Sequence, residues 1–305
     1  MTRRMDLKVD YAFKLLFGTQ ENEPILRAML NALLKLPKDD RIASLTILNS
    51  ELLREYETDK QSVLDIYART EKDEYINIEI QLADKYDMKK RTLYYWSRIY
   101  SSQLKKGSIS YGEMKKTITI NILDFDLLQE TDRYHSTFRL YEDEEKFLLT
   151  DVLEVHFVEM PKLLRLWEQQ AVNLEENEKE RWLLILEADD REDIRRELEA
   201  IAMKDPVMKK AFDQWEDLSR DEKTWIEYET RKKAIHDELS AAREAEIRQQ
   251  RAREEGLAEG RTEGERQKAT EVAKNLLAMD MTVEVVAKAT GLSLEEIEKL
   301  KKQLH

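Results

Sequence analysis

The chain contains no cysteine. That excludes a disulfide framework and a zinc–thiolate site. Glycine and proline are scarce, at 7 and 4 in 305 residues. With few chain breakers and 38% charged residues, the composition favours helix. The four histidines (His135, His156, His236, His305) are scattered without ligand spacing. His156 alternates with Glu154 and reads as a sheet-face residue rather than a general base. The patterns GxxxxGK[ST], GxGxxG, HExxH and GxSxG do not occur, so phosphate-cradling, zinc-hydrolase and serine-hydrolase chemistry have no support. No run of about 18 apolar residues is present, and the opening MTRRMDLKVDYAFK has no signal-peptide core. The expectation is a cytoplasmic protein without a membrane partner.

What is present is charge, unevenly spread. The net charge of −13 argues against a general nucleic-acid binder. Residues 1–130, however, hold 21 basic and 21 acidic side chains, so the whole deficit lies beyond them. Within 83–116 nine basic residues stand against three acidic ones. Local clustering of this kind governs phosphate binding more than the chain total does.

The basic segment follows a stretch that reads as a β-hairpin, QSVLDIYARTEKDEYINIEIQL over Gln61–Leu82. Leu64, Ile66 and Ala68 alternate with polar residues on the first run, as do Ile76, Ile78, Ile80 and Leu82 on the second. A loop centred on Lys72 sets residue i against residue 144 minus i. Leu64, Ile66 and Ala68 then face Ile80, Ile78 and Ile76, giving one apolar face. Asp65 falls opposite Glu79 on the other. Opposed like charges destabilise a sheet. The pair is therefore either a solvated face or a site for a hard divalent cation, which takes oxygen ligands.

In chain order, residues 9–17 predict a short helix ending at Gly18, with Asp10 and Lys14 at i, i+4. On spacing alone those two are an ordinary surface ion pair. A second helix runs from about Pro24 to Lys35, and Ile42–Leu53 predicts a strand, with Asn49 and Glu51 at its end and Glu51 as a possible outer ligand. Residues 87–106 predict an amphipathic helix. Leu93, Trp96, Tyr100 and Leu104 are expected on its core side, with Arg91, Tyr94, Arg98, Ser102 and Lys105 on the other. Basic residues mixed with Tyr suit a phosphate backbone, but they equally suit a solvated face. Thr117–Leu123, Tyr134–Tyr141 and Asp151–Met160 alternate as further strands. From Pro161 onward the pattern is helical, with a polar stretch at 221–270 spaced by Gly256, Gly260 and Gly264. That stretch is either a flexible connector or a helix-pairing segment. Residues 282–297 have helix–turn–helix spacing, but the second helix opens Leu294-Glu295-Glu296. That acidic start favours packing or assembly over DNA readout.

Asp65…Glu79-Ile80-Gln81 on a hairpin resembles the signature of the PD-(D/E)XK nuclease superfamily, with Gln81 where lysine is usual. With LDIYA…INIEIQ, the opening DYAFKLLFG from Asp10, and RTLYYWSRIY from Arg91 followed by Gly107 and Tyr111, residues 5–125 resemble its transposase-associated branch, the recombination-promoting nucleases. The resemblance implies an α/β class: a restriction-endonuclease-like core with an extended mixed sheet, followed by a helical C-terminal region. Together with the helical patterning from Pro161 onward, this divides the chain into a nuclease-like domain (1–160), a helical region (161–220), a polar helical connector (221–270) and a small helical hairpin (271–305).

The resemblance further implies a metal-dependent DNA endonuclease tied to recombination or mobile elements. Asp65 and Glu79 would hold Mg²⁺, with Gln81 and Asp10 completing the catalytic set. Lys89, Lys90, Arg91, Tyr94, Arg98 and Lys105 would bind DNA. Gln can orient water but cannot supply charge, so the substitution predicts slower chemistry unless a helix lysine such as Lys89 or Lys90 replaces the charge in space. Self-association would run through the helical C-terminal region. The alternatives are a catalytically degenerate DNA-binding or assembly protein that keeps the fold, and a helical scaffold with no nucleic-acid partner.

Overall fold

The computed structural model describes residues 3–49, 64–84, 87–104 and 110–304. Two helices open the chain, α1 (Asp10–Phe17) and α2 (Glu23–Leu34). Then come β1 (Leu45–Leu48), β2 (Ile66–Thr70) and β3 (Tyr75–Gln81), followed by α3 (Met88–Ser102). After them lie β4 (Thr117–Leu123), β5 (His135–Tyr141) and β6 (Leu148–Glu159). The strands form one mixed sheet in the order β1-β2-β3-β4-β6-β5. β1, β2 and β3 are antiparallel, β4 runs parallel to β3, β6 runs parallel to β4, and β5 is the antiparallel edge strand beside β6. This mixed α/β plan is the one expected for a PD-(D/E)XK core.

The β2–β3 hairpin has the register read from its pattern: Ile66 pairs with Ile78, Tyr67 with Asn77 and Ala68 with Ile76. Asp73 takes the left-handed turn conformation at φ 62°. Ile66, Ala68, Ile76, Ile78 and Ile80, with Ile118, Ile120 and Ile122 of β4, form one apolar face. It packs on Phe13, Leu16 and Phe17 of α1 and on α2. The helices α4 (Met160–Glu168), α5 (Glu178–Leu184), α6 (Glu192–Ala202) and α7 (Pro206–Arg220) join the same core through Leu163, Trp182, Leu198 and Trp215. Residues 161–220 therefore share the core of the sheet. Residues near the N-terminus lock onto this layer: the Trp215 indole donates to the Met5 carbonyl at 2.8 Å, and Tyr228 accepts from the Asp6 amide at 2.9 Å.

The opposite face of the sheet is polar at its centre. Asn77, Glu79, Thr117, Thr119 and Asn121 are all buried there. A polar sheet face demands polar partners, and α3 supplies them. The Thr92 hydroxyl donates to the Asn121 carboxamide oxygen at 3.0 Å, and the Trp96 indole donates to the Thr117 carbonyl at 3.0 Å. This sets the rotation of α3 differently from the expectation. Met88, Thr92, Tyr95 and Ile99 are the buried residues, whereas Leu93 is half exposed. Leu64 also departs from the expected apolar face. It packs with Tyr67, Tyr95 and Ile99 on the α3 side, because the chain bends at Asp65 before β2 begins.

The chain forms two compact units, Met1–Ile235 and His236–His305. The helix α8 (Glu222–Ala278) contributes to both. Within the second unit, α9 (Val283–Thr290) and α10 (Leu294–Leu304) enclose a small core of Ala273, Leu277, Val286 and Ile297. Gly291 supplies the left-handed turn between them at φ 73°. Ser293 and Glu296 form a reciprocal capping box on α10. Gly256, Gly260 and Gly264 lie within the continuous α8 helix, and a Cβ at any of them would meet nothing within 4 Å. Among the described residues no helix is long and apolar enough to cross a membrane.

Candidate active site

Asp65 sits at the bend leading into β2, and Glu79 sits on β3 facing α3. Continuing the register beyond Ile66–Ile78 sets the two side by side. Asp65 Oδ2 accepts the Ile80 amide at 2.9 Å, which fixes the carboxylate across the strands. Their side chains are 7% and 1% exposed. Burial strips water from both carboxylates and raises both pKa values. Burial, then the neighbouring Asp65 charge, pushes Glu79 up to about 8. Burial also raises Asp65, against the pull of Lys14. Around neutral pH, Glu79 thus tends to keep a proton until a cation arrives.

Two cations reach this pair from different elements. Lys14 Nζ on α1 lies 3.0 Å from Asp65 Oδ1. Arg91 on α3 lies 3.9 Å from Glu79 and donates through Nη1 to the Gln81 side-chain oxygen at 3.3 Å. The guanidinium is held in place by Tyr95, whose hydroxyl accepts from Nε at 3.1 Å and whose ring lies beneath it at 5.2 Å. The Asn77 carboxamide donates to Glu79 at 3.3 Å and leaves its own buried oxygen without a partner among the described residues.

The sequence-predicted residues therefore separate. Asp65, Glu79, Gln81 and Arg91 converge. Asp10 and Lys14 are not each other's partners: Lys14 goes to Asp65, and Asp10 is held by a bidentate contact from Arg231 of α8, with a shortest distance of 2.6 Å. The negative charge of Asp10 still reaches Asp65 and raises its pKa. Arg91, not Lys89 or Lys90, stands beside Gln81. Lys89 is 4.0 Å from Glu130 on the surface, Lys90 and Tyr94 are exposed, and Arg98 is half-buried. Lys105 and Glu51 lie outside the described residues. Tyr95 and Asn77 escaped the sequence reading, and Lys14 entered it only as a surface pair. For Asn77 and Tyr95 the one available signal was closeness in sequence to Glu79 and Arg91; for Lys14, 51 residues from Asp65, there was none.

His156 is also more than a sheet-face residue. It lies on the apolar side of the sheet in a buried chain, 2.8 Å from Glu154 and 2.9 Å from His135, with Lys179 3.4 Å beyond. Burial, then His156 and Lys179, holds His135 down near 3, so it stays neutral.

Among the described residues no three His, Cys, Asp or Glu side chains converge as a cage for a metal ion. The Asp65–Glu79 pair still fits a hard divalent cation, since two buried carboxyl groups lie side by side and a cation can take the place of the proton that burial favours. A backbone carbonyl and water can complete such a set.

The sheet order, the carboxylate-bearing hairpin and the flanking helices together define a PD-(D/E)XK-type fold. The family model for PD-(D/E)XK nuclease family transposases matches residues 7–245, and the chain belongs to that family. Neither the curated proteins nor the solved structures include a significant match to the chain.

Proposed function

We propose that the protein is a divalent-metal-dependent DNA endonuclease acting in recombination or in the movement of mobile elements. The observation that supports this best is the buried Asp65–Glu79 pair, with raised pKa values, flanked by Lys14 and Arg91. Asp65 and Glu79 would hold Mg²⁺. When bound, the metal supplies polarisation of the scissile phosphate and a lowered pKa for a bound water. The chain's own residues do the rest. Lys14 orients Asp65 and offsets part of the burial that favours its protonated form. Gln81 orients a water by hydrogen bonding. Arg91 brings to Gln81 the positive charge that a lysine would otherwise carry, and stabilises charge developing on the phosphate. Asp10 acts at a distance through its charge on Asp65. Lys89, Lys90, Tyr94 and Arg98 on α3 would bind the phosphate backbone, with Lys105 of the same basic segment as a further candidate. The nuclease-like fold does the chemistry, and the acidic helical region beyond serves assembly or control.

A plasmid-nicking assay with and without Mg²⁺, wild type beside Asp65→Ala and Glu79→Ala, tests this reading. The expected result is metal-dependent nicking that both substitutions abolish. Gln81 in place of lysine favours a second reading, a degenerate nuclease that binds DNA without cutting it. Wild-type protein that is inert with Mg²⁺ and Mn²⁺ yet binds DNA in a salt-dependent way would establish that reading instead.

A further inference from the structure

Beneath α3 the buried polar side chains find partners. The Asn121 carboxamide accepts from Thr92 and donates to the His156 carbonyl, and Thr117 Oγ1 accepts from Gln103. Among the described residues two atoms on this face are left over, Asn77 Oδ1 and Thr119 Oγ1. The register sets Asn77 of β3 beside Thr119 of β4, and both side chains are fully buried. Each such unmatched atom costs about 1–3 kcal/mol. Two of them side by side, next to a carboxyl group, call for a role.

The carboxylate pair is short of free oxygens. Asp65 engages Oδ1 with Lys14 and Oδ2 with the Ile80 amide. A hard cation takes about six or more oxygen ligands, and Asn side-chain carbonyls are among them. Asn77 Nδ2 lies 3.3 Å from Glu79 Oε1, which is long for a bond to a carboxylate. Half a turn of the carboxamide exchanges its nitrogen and oxygen within nearly the same volume, so the oxygen can stand where the nitrogen does. Two oxygens at right angles around a cation at about 2.1–2.4 Å are about 3.0–3.4 Å apart. The observed spacing suits two ligands of one ion.

We infer that Asn77 is a further ligand of the cation, turning its side-chain oxygen to the ion beside Asp65 and Glu79. The inference rests on the reading of that pair as a metal site. The turn also moves the NH2 group away from Glu79 and brings two donors into a region where the Thr119 hydroxyl has no partner among the described residues. Without a cation between them two oxygens repel, so one side chain serves both states by turning.

Titration of the full chain with Mn²⁺ in the absence of DNA, followed by the electron paramagnetic resonance signal of the free ion, tests this apart from cleavage. Asn77→Ala and Asn77→Val should each weaken Mn²⁺ binding about tenfold or more. Asn77→Asp offers a charged oxygen at the same place and should tighten binding by a similar factor. A side chain that only held Glu79 through its N–H would give the reverse for Asn77→Asp, because a carboxylate cannot donate and repels its neighbour. Far-UV circular dichroism identifies the folded variants, and Asn77→Asp keeps the test open if a truncated one does not fold. Unchanged affinity in a folded Asn77→Ala or Asn77→Val, or weaker binding by Asn77→Asp, would overturn the inference while leaving the carboxylate pair as a metal site. Wild type that binds no Mn²⁺, or that binds it equally well after Glu79→Gln, would remove the pair as a site and the inference with it.

Discussion

Arg91 donates to the Gln81 side-chain oxygen at 3.3 Å, ten residues and one element away from it. The pair puts an amide at the motif position and a cation directly behind it. If the guanidinium does the work of the missing lysine, Arg91→Ala should lower plasmid cleavage by about 10²–10³ in kcat, the cost of removing one preorganised donor. Gln81→Lys should restore much of that loss in the Arg91→Ala background and little in the wild type. Steady-state cleavage of a supercoiled plasmid by the four proteins decides it. Failure of the lysine to rescue would place Arg91 in DNA binding instead.

The raised pKa of Glu79 makes metal-free stability fall with pH. Below its ordinary value of 4.5 the carboxyl is protonated in both folded and unfolded chains. Between there and about 8 the unfolded chain has released the proton and the folded one keeps it. The native state then binds more protons, so stability declines as pH rises across that window. Thermal melts in EDTA from pH 5.5 to 8.5 should show Tm dropping by several degrees, and Glu79→Gln should flatten the slope. Mg²⁺ should recover most of the loss at the alkaline end, where it need not compete with the proton.

Loss of a carboxylate should separate function from folding. Asp65→Asn and Glu79→Gln should each abolish cleavage, yet Glu79→Gln should melt higher than wild type at pH 8 without metal. It removes a buried charge repelled by its neighbour while keeping the shape. Differential scanning calorimetry beside the nicking assay checks both halves. A Glu79→Gln protein that melts lower would contradict the electrostatic picture. Asp10→Asn, by contrast, should reduce cleavage less than about tenfold, since it acts on Asp65 only through distance-weakened charge.

One of the bonds that hold the roof over the site is fully buried. Thr92→Val keeps the shape of the side chain but leaves the Asn121 oxygen without its donor. The expected cost is about 1–3 kcal/mol, measured by urea denaturation. Leu93→Ala, one residue along and half exposed, should cost much less in the same experiment.

The hairpin was legible because strands alternate with period two and its turn fixes the register, so Ile66 could be set against Ile78 from sequence alone. The rotation of α3 was not. Its apolar residues allow two stripes one position apart, and what chooses between them is Asn121, a polar residue on a strand 29 positions away. Leu64 misled for a related reason: alternation assumes a straight strand, and Asp65 bends the chain in order to hold the Ile80 amide. Lys14 looked like the partner of Asp10 because spacing along a helix is visible in sequence. The claims of Arg231 and Asp65 on those two side chains arrive from elements 221 and 51 residues away. The nearness of the two carboxylates was readable because one short hairpin carries both, although the bond from the Ile80 amide to Asp65, rather than strand pairing, fixes it.

Four of the side chains that converge at the site after Asp65, namely Asn77, Glu79, Gln81 and Arg91, belong with Tyr95 to one stretch of chain, and among the described residues Lys14 is the one that touches the pair from outside it. Such a site behaves like a cassette. A gene fragment covering residues 64–95 would carry nearly the whole chemical vocabulary with it, while the remaining helices and strands act as its holder. Substitutions within the holder should therefore be tolerated wherever they keep the apolar seat beneath Ile76, Ile78 and Ile80, and the chemistry should travel with the cassette between otherwise divergent holders.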